Sequence, residues 1–418
     1  MRTVFASIIT IGDELLIGQV IDTNSAWMAQ ELNKWGIPLK RRVAIGDSRE
    51  EILKTLEEES KLADIILITG GLGPTADDIT KPVLCEYFGG KLVVDPGALA
   101  NVKNIFEKIL NRPMIERNLK QAEVPDVCTV IQNKRGTAPG MWFEKEGKIF
   151  VSMPGVPHEM KGMMTDDVLP ALPKHFELTN ILHRTMLTAG LGESFLAERI
   201  KEYEAALPSY IKLAYLPNYG MLRLRLTAMG ADKEKLAAEL DHQFKLLLDQ
   251  LSDVLVTDED LPLQNVVSKI LKERGQTLTT AESCTGGYIA HLITAQAGSS
   301  EYYKGGVVSY ANSMKEDVLH VSPKTLEAVG AVSEATVIEM IKGALEIAGT
   351  DYALATSGIM GPGGGSAEKP VGMVWVAVGN RENIIAKQFN FRFDRQRNIE
   401  LTATNALNLL RKFILDQA

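Results

Sequence analysis

The sequence predicts an α/β protein of three domains, with α/β units over residues 1–170 and 257–418 and a small α+β unit over 171–256. Three observations predict it. Over the first 170 residues, short apolar runs rich in β-branched side chains alternate with helix-like segments, as they do around a largely parallel sheet. The same alternation returns after residue 257. Between the two lies a stretch of strict every-second-residue alternation followed by one long helical repeat, which suits a half-exposed sheet with a helix on one side.

Taken in order, residues 4–11 form an apolar run that meets Gly12-Asp13-Glu14 with no small-residue cleavage pattern, so they read as a buried strand and not as a signal peptide. Residues 23–35 have helical amphipathicity and end at Gly36. A second buried strand over 64–69 runs into Gly70 and Gly71, and a helix over 78–88 is closed by Gly89 and Gly90. Pro170 and Pro173 are expected to stop a helix and mark the first hinge. Over 221–228, Leu222, Leu224 and Leu226 fall on one strand face while Arg223 and Arg225 fall on the other; a helix over 233–251 follows. Asp258-Glu259-Asp260-Leu261-Pro262 marks the second boundary. Beyond it come a helix over 263–274, a strand over 276–281, a glycine turn, another helix and a strand over 352–356.

Composition narrows the function. With 45% hydrophobic and 23% charged residues the chain is neither disordered, collagen-like nor a coiled coil. The excess of 53 Asp+Glu over 45 Lys+Arg, a formal charge of −8, argues against a protein that coats nucleic acid or an anionic membrane. No apolar stretch approaches the roughly 18 residues that would span a bilayer. Cys85, Cys128 and Cys284 are odd in number and far apart, so neither a disulfide framework nor a metal knuckle is expected, and a reducing cytoplasm is. Histidines 158, 175, 183, 242, 291 and 320 show no metal-ligand spacing.

Two polar clusters fall where strands hand over to helices, which is where sheets of this type bind ligands. One is Gly12-Asp13-Glu14 with Asp22 and Asn24. The other is Gly70-Gly71-Leu72-Gly73-Pro74-Thr75 with Asp77 and Asp78. The glycines let backbone approach a ligand, and the amides opening the next helix suit phosphate. Asp13, Glu14, Asp22, Asp77 and Asp78 suit a hard divalent cation that bridges phosphates. The same residues also suit a plain turn with a capped helix; two acidic clusters at two strand ends favour the ligand reading.

These clusters, together with Gly136-Thr137-Ala138-Pro139-Gly140 and Met153-Pro154-Gly155-Val156-Pro157 followed by Glu159 and Met160, resemble the CinA family of competence/damage-inducible proteins. Its first domain is similar to the molybdopterin-binding fold. The resemblance implies metal-dependent ADP-ribose pyrophosphatase activity there. Asn24, Gly70, Gly71, Gly73, Thr75 and Gly155 would face the nucleotide, and a subset of Asp13, Glu14, Asp22, Asp77 and Asp78 would hold Co2+, Mg2+ or Mn2+, with K+ as an additional candidate. The middle unit is similar to the family's KH-like domain. It lacks the G-x-x-G clamp of RNA-binding KH domains, so Arg223 and Arg225 read as a solvated strand face and nucleic acid is not an expected partner.

The last unit carries Glu282-Ser283-Cys284-Thr285-Gly286-Gly287, Gly298-Ser299-Ser300, Tyr310 with Asn312 and Lys315, Ser357-Gly358-Ile359 with Gly361-Pro362, and Arg395. A serine needs a base before it is nucleophilic. No Ser-His-Asp set is evident, but a lysine serves if burial keeps its amine neutral. Ser300 and Lys315 stand fifteen positions apart, so only the fold can bring them together. The motifs match the family's nicotinamide mononucleotide (NMN) deamidase domain in order. That match implies Ser300 as nucleophile, Lys315 as its base and Tyr310 between them as hydrogen-bond partner or proton relay. Ser357, Gly358 and Gly361 would line the pocket, Arg395 would pair with the 5′-phosphate, and Glu282, Ser283, Thr285 and Gly286 would shape the substrate site. No cofactor is expected for this step. Cys284 is set aside because it lies in the strand-to-helix turn.

The expected function is a cytoplasmic, homodimeric hydrolase of pyridine-nucleotide salvage that acts on NMN and ADP-ribose, with no membrane partner. The alternative is that the first domain only binds a nucleotide or pterin and regulates a partner in competence or DNA repair.

Overall fold

The computed structural model describes residues 2–75, 78–218 and 220–417. Asp77, expected among the metal ligands, lies outside the described residues. The chain divides into two compact units, Met1–Leu182 with Thr227–Glu239, and His183–Leu226 with Leu240–Ala418.

In the first unit a six-stranded sheet runs in the order Leu39–Ile45, Ala6–Ile11, Ile65–Thr69, Lys148–Met153, Gly140–Lys145, Thr129–Ile131. The first four strands are parallel, Gly140–Lys145 runs against them, and Thr129–Ile131 pairs antiparallel with it. Ile65 and Leu67 point into one core with Met28, Leu32 and Met160, while Ile66 and Ile68 point into the other with Ile52, Leu56 and Val83. A strand buried on both faces has no use for polar alternation, which is why these strands read as continuous apolar runs. Each such Ile or Leu contributes about 1.5–3 kcal/mol of burial.

Strand order reverses between Ala6–Ile11 and Ile65–Thr69. The first strand returns through helix Thr23–Lys34 to Leu39–Ile45 on one side, and helix Arg49–Leu62 then carries the chain to the other side. A crevice at their carboxyl ends follows from the topology.

Two expectations are corrected here. The helix expected from 78 begins at Thr80, because the Asp78 carboxylate turns back to the glycine loop. Pro170 and Pro173 do not stop the helix: the helical run that begins at Pro157 passes through a wide turn at Met164–Val168 and a tight one at Leu172–Lys174 before it ends, and Leu169 and Leu172 are buried in the core.

The small sheet has the order Ile211–Asn218, Met221–Gly230, Asn180–Ala189, Leu255–Thr257, with helix Lys233–Gln250. Leu222, Leu224 and Leu226 are buried. Arg223 pairs with Asp260 and Arg225 is exposed.

The last sheet runs Tyr303–Val308, Leu278–Glu282, Tyr352–Gly358, Met373–Gly379, Ile384–Asn390. Its first three strands are parallel, Met373–Gly379 runs against them, and Ile384–Asn390 pairs antiparallel with it. Helices Leu263–Arg274, Tyr288–Thr294 and Arg395–Asp416 supply the core on one face, through Val267, Leu271, Ile289, Leu407 and Leu410. Helix Glu334–Ala348 supplies the other through Val337, Met340 and Ile341.

Candidate active site

Each α/β sheet opens a cavity at the carboxyl ends of its parallel strands. The first, about 370 Å³, is lined by Glu14, Asp22, Asn24, Asp47, Gly70, Gly71, Gly73, Asp78 and Gly155, with Val20, Ile21 and Val156 among the apolar walls. Gly70 has φ +109°, and a Cβ there would stand 2.0 Å from the Ile11 carbonyl oxygen, so no other residue fits that turn. Asn24 donates from Nδ2 to the Gly155 carbonyl at 2.7 Å, tying helix to loop.

The carboxylates are less free than their clustering suggests. Asp22 caps helix Thr23–Lys34 by accepting from the Ser25 amide at 2.8 Å. Asp78 accepts from the Gly73 and Thr75 amides at 2.9 and 2.8 Å and from the Thr75 hydroxyl, which closes the glycine loop. Asp13 and Asp47 each accept from the other's backbone amide at 3.2 Å. Asp13 and Thr75 do not line the cavity. Among the described residues no three His, Cys, Asp or Glu side chains converge on a metal-binding point. Nor does any basic side chain line this cavity. Glu159 and Gly136, from the other two motifs, pack together: Glu159 accepts from Asn133 Nδ2 at 2.6 Å, and a Cβ on Gly136 would collide with its carboxylate.

The second cavity, about 200 Å³, is lined by Ser283, Cys284, Tyr310, Asn312, Lys315, Ala331, Val332, Ser357, Gly358, Met360 and Arg395. Lys315 is 1% exposed. Its Nζ lies 3.1 Å from Ser283 Oγ, 2.7 Å from the Ser309 carbonyl and 3.4 Å from the Tyr310 carbonyl. No carboxylate pairs with it among the described residues. Burial therefore lowers its pKa, against a weak opposing pull from the Cys284 thiol. The three oxygens accept the three N–H donors of an ammonium, and when the proton leaves, the lone pair of the amine is left to face the Ser283 hydroxyl.

Ser283 follows strand Leu278–Glu282 in a tight turn: its amide donates to the Thr356 carbonyl at 3.0 Å, and its carbonyl accepts from the Gly286 amide at 3.1 Å. Arg395 donates from Nη1 to the Gly361 carbonyl at 2.8 Å and from Nη2 to the Tyr310 hydroxyl at 2.9 Å. Both acceptors are neutral, and among the described residues Arg395 has no carboxylate partner. Its full charge is left for an anion.

Comparison with known proteins separates the chain into three matches. Residues 7–174 match the family "Probable molybdopterin binding domain", 183–254 the "Damage-inducible protein CinA KH domain", and 260–414 the "CinA C-terminal domain". A CinA-like protein of Cytophaga hutchinsonii is 44% identical over 409 residues, covering 98% of this chain and 98% of its own. The chain belongs to the CinA family. A CinA-like protein of Salinibacter ruber is 39% identical over 408 residues, 97% of this chain and 98% of its own. A crystal structure of a CinA superfamily protein from Klebsiella pneumoniae is 40% identical, covering 37% of this chain and 96% of that one, with a TM-score of 0.36.

Within the CinA C-terminal domain the structure does not bring the expected Ser300 to Lys315. Ser300 is exposed in the turn Ser299–Glu301, ahead of the amino end of strand Tyr303–Val308. Lys315 lies beyond that strand's carboxyl end. Six extended residues span about 20 Å, so Ser300 and Lys315 sit at opposite ends of the sheet, and Ser283 takes the place beside the amine. Tyr310 does not bridge a serine and Lys315 through its hydroxyl, which is held by Arg395.

Glu282, Thr285 and Gly286 build the turn and do not line the cavity. Glu282, 1% exposed, accepts from the Gly287, Ile289 and Ala290 amides at 3.1, 3.0 and 2.8 Å. It caps helix Tyr288–Thr294 from the end of the strand. Glu282→Ala strands these donors and is expected to cost about 3 kcal/mol, while Glu282→Gln keeps an acceptor and costs less; denaturation midpoints check the order. Thr285 shares a 2.8 Å hydroxyl contact with Thr356. Ser357 donates to the Ala331 carbonyl at 2.7 Å. The Cys284 thiol is pushed up to about 12, chiefly by burial, which leaves it a thiol and a poor nucleophile. Sequence reasoning missed Ala331 and Val332, which no motif marks, and Asp47, whose one signal was a polar residue just past a parallel strand.

Proposed function

We propose that the chain is a two-site hydrolase of pyridine nucleotides whose C-terminal domain deamidates NMN to nicotinic acid mononucleotide and ammonia. The observation that carries this reading is the buried Lys315 amine 3.1 Å from Ser283 Oγ, in a cavity that also presents the unpaired Arg395. Ser283 Oγ attacks the carboxamide carbon while Lys315 takes its proton. The Cys284 and Thr285 amides, which follow the serine in the turn, would serve as backbone donors for the oxyanion. Collapse expels ammonia, which takes the proton back from Lys315, and water releases the acid from the acyl-enzyme. Arg395 receives the 5′-phosphate.

The first domain, in the same proposal, hydrolyses ADP-ribose to AMP and ribose 5-phosphate. Its cavity presents Glu14, Asp22, Asp47 and Asp78 and no basic side chain, so a pyrophosphate needs a companion cation to enter. Mg2+-like ions are held by one or two carboxylates plus phosphate oxygens, a demand that Glu14, Asp47 and Asp78 meet without a three-carboxylate cage. When bound, the ion would draw charge from the bridging phosphates. The glycine loop and the Asp78 carboxylate that closes it set how near the phosphates come.

The absence of a convergent carboxylate trio among the described residues favours a second reading, in which this domain binds a nucleotide without turning it over. Ammonia release from NMN and AMP release from ADP-ribose separate the readings. A chelator is expected to abolish AMP release and spare ammonia release. Asp78→Asn, which disturbs the loop closure, is expected to lower AMP release at least about tenfold; tight ADP-ribose binding without turnover would favour the binder.

A further inference from the structure

We propose that Tyr310 is a positioning residue that couples phosphate recognition at Arg395 to the Ser283–Lys315 pair. The inference rests on reading the cavity as a mononucleotide site and goes beyond it, because it assigns the phosphate an effect on the chemical step.

Residue 310 touches both ends of the machinery. Its backbone carbonyl accepts from Lys315 Nζ at 3.4 Å, and its hydroxyl accepts from Arg395 Nη2 at 2.9 Å. The side chain is 62% exposed, so packing does not hold it; the arginine does. The other half of the guanidinium is anchored, since Nη1 donates to the Gly361 carbonyl at 2.8 Å and Asn398 Nδ2 pins the neighbouring Met360 carbonyl at 3.0 Å. Nη2 is therefore the half that can change partners. A phosphate oxygen is a charged acceptor that a guanidinium can meet with two parallel N–H groups, so it holds Arg395 more strongly than a neutral hydroxyl does. An anion at Arg395 displaces the phenol, and residue 310 is then free to move.

That movement reaches Lys315. Two of its three acceptors are the consecutive carbonyls of Ser309 and Tyr310, and the 3.4 Å contact is the longest of the three. A shift of residue 310 changes where Nζ sits relative to Ser283 Oγ. Binding energy from a non-reacting phosphate is thereby spent on orienting the base, which raises kcat and not only affinity.

The test compares NMN with nicotinamide riboside, which lacks the phosphate, and adds inorganic phosphite as a separate anion. In the wild type, kcat for NMN is expected to exceed that for the riboside at least about fivefold, and phosphite is expected to raise riboside turnover by a similar factor. Tyr310→Phe removes the hydroxyl and keeps the carbonyl. Phosphite should still compete with NMN in this variant, which shows a folded protein with Arg395 in place, but should no longer raise riboside turnover. Activation equal to wild type in Tyr310→Phe overturns the coupling. So does equal wild-type kcat for the two substrates, since the phosphate would then be only a tether. Ammonia from neither substrate overturns the mononucleotide reading itself, and the coupling with it.

Discussion

Ser283→Ala is expected to lower ammonia release from NMN by about 10³-fold or more, whereas Ser300→Ala is expected to leave it near the wild-type rate. The size follows from losing an acyl-enzyme route, after which only substrate binding and oxyanion stabilisation remain. The asymmetry follows from position. Ser283 Oγ lies 3.1 Å from Lys315 Nζ inside the cavity, while Ser300 is exposed ahead of the amino end of the edge strand. The Ser283→Ala protein should keep its fold, because the hydroxyl removed serves only the lysine. Steady-state ammonia release alongside near-wild-type thermal unfolding checks both halves. Loss of activity on Ser300→Ala with Ser283→Ala unaffected would return the nucleophile to the position that motif order implied.

Lys315→Met is expected to abolish ammonia release and leave AMP release from ADP-ribose intact, since the lysine belongs to one cavity only. Lys315→Arg fails as well, because a guanidinium stays protonated and cannot take the serine proton. In the wild type, kcat/KM should rise with pH as the amine loses its proton and level off below the ordinary lysine value of 10.5, because burial lowers that pKa. The same burial costs stability. Between the lowered folded-state pKa and 10.5 the unfolded chain binds the extra proton, so stability rises with pH across that window. Comparing Tm for wild type and Lys315→Met near pH 7 and near pH 9.5 reads this directly: the difference should move in favour of the wild type as pH rises. A kcat/KM profile flat in pH would sink the assignment of Lys315 as base.

Much of the fold was legible because burial leaves a local trace. Strands Ala6–Ile11 and Ile65–Thr69 are buried at every position and apolar at all but Ser7, Thr10 and Thr69, since helices cover both faces of the sheet. Leu263–Arg274 carries its helical stripe and ends on Gly275 in the left-handed region, so its bounds follow from the sequence. Boundaries went astray where a side chain reached across a turn, as Asp78 does to Gly73 and Thr75. Pro170 and Pro173 misled because the helical run carries on through both, by a wide turn at Met164–Val168 and a tight one at Leu172–Lys174.

The sites divide in the same way. Which residue types the two strand ends present was legible in the sequence alone, and with it the expectation that each end holds a ligand: glycines with carboxylates beside them in the first unit, a serine and a lysine in the last. Which serine meets the lysine was decided only by tertiary structure. Ser283 and Lys315 are 32 residues apart and meet because parallel neighbours Leu278–Glu282 and Tyr303–Val308 deliver both to one edge of the sheet. Ser300, closer in sequence, enters the same strand from its opposite end. Distance along a chain says nothing about which end of a strand a residue occupies, and a parallel sheet collects its chemistry at one end only.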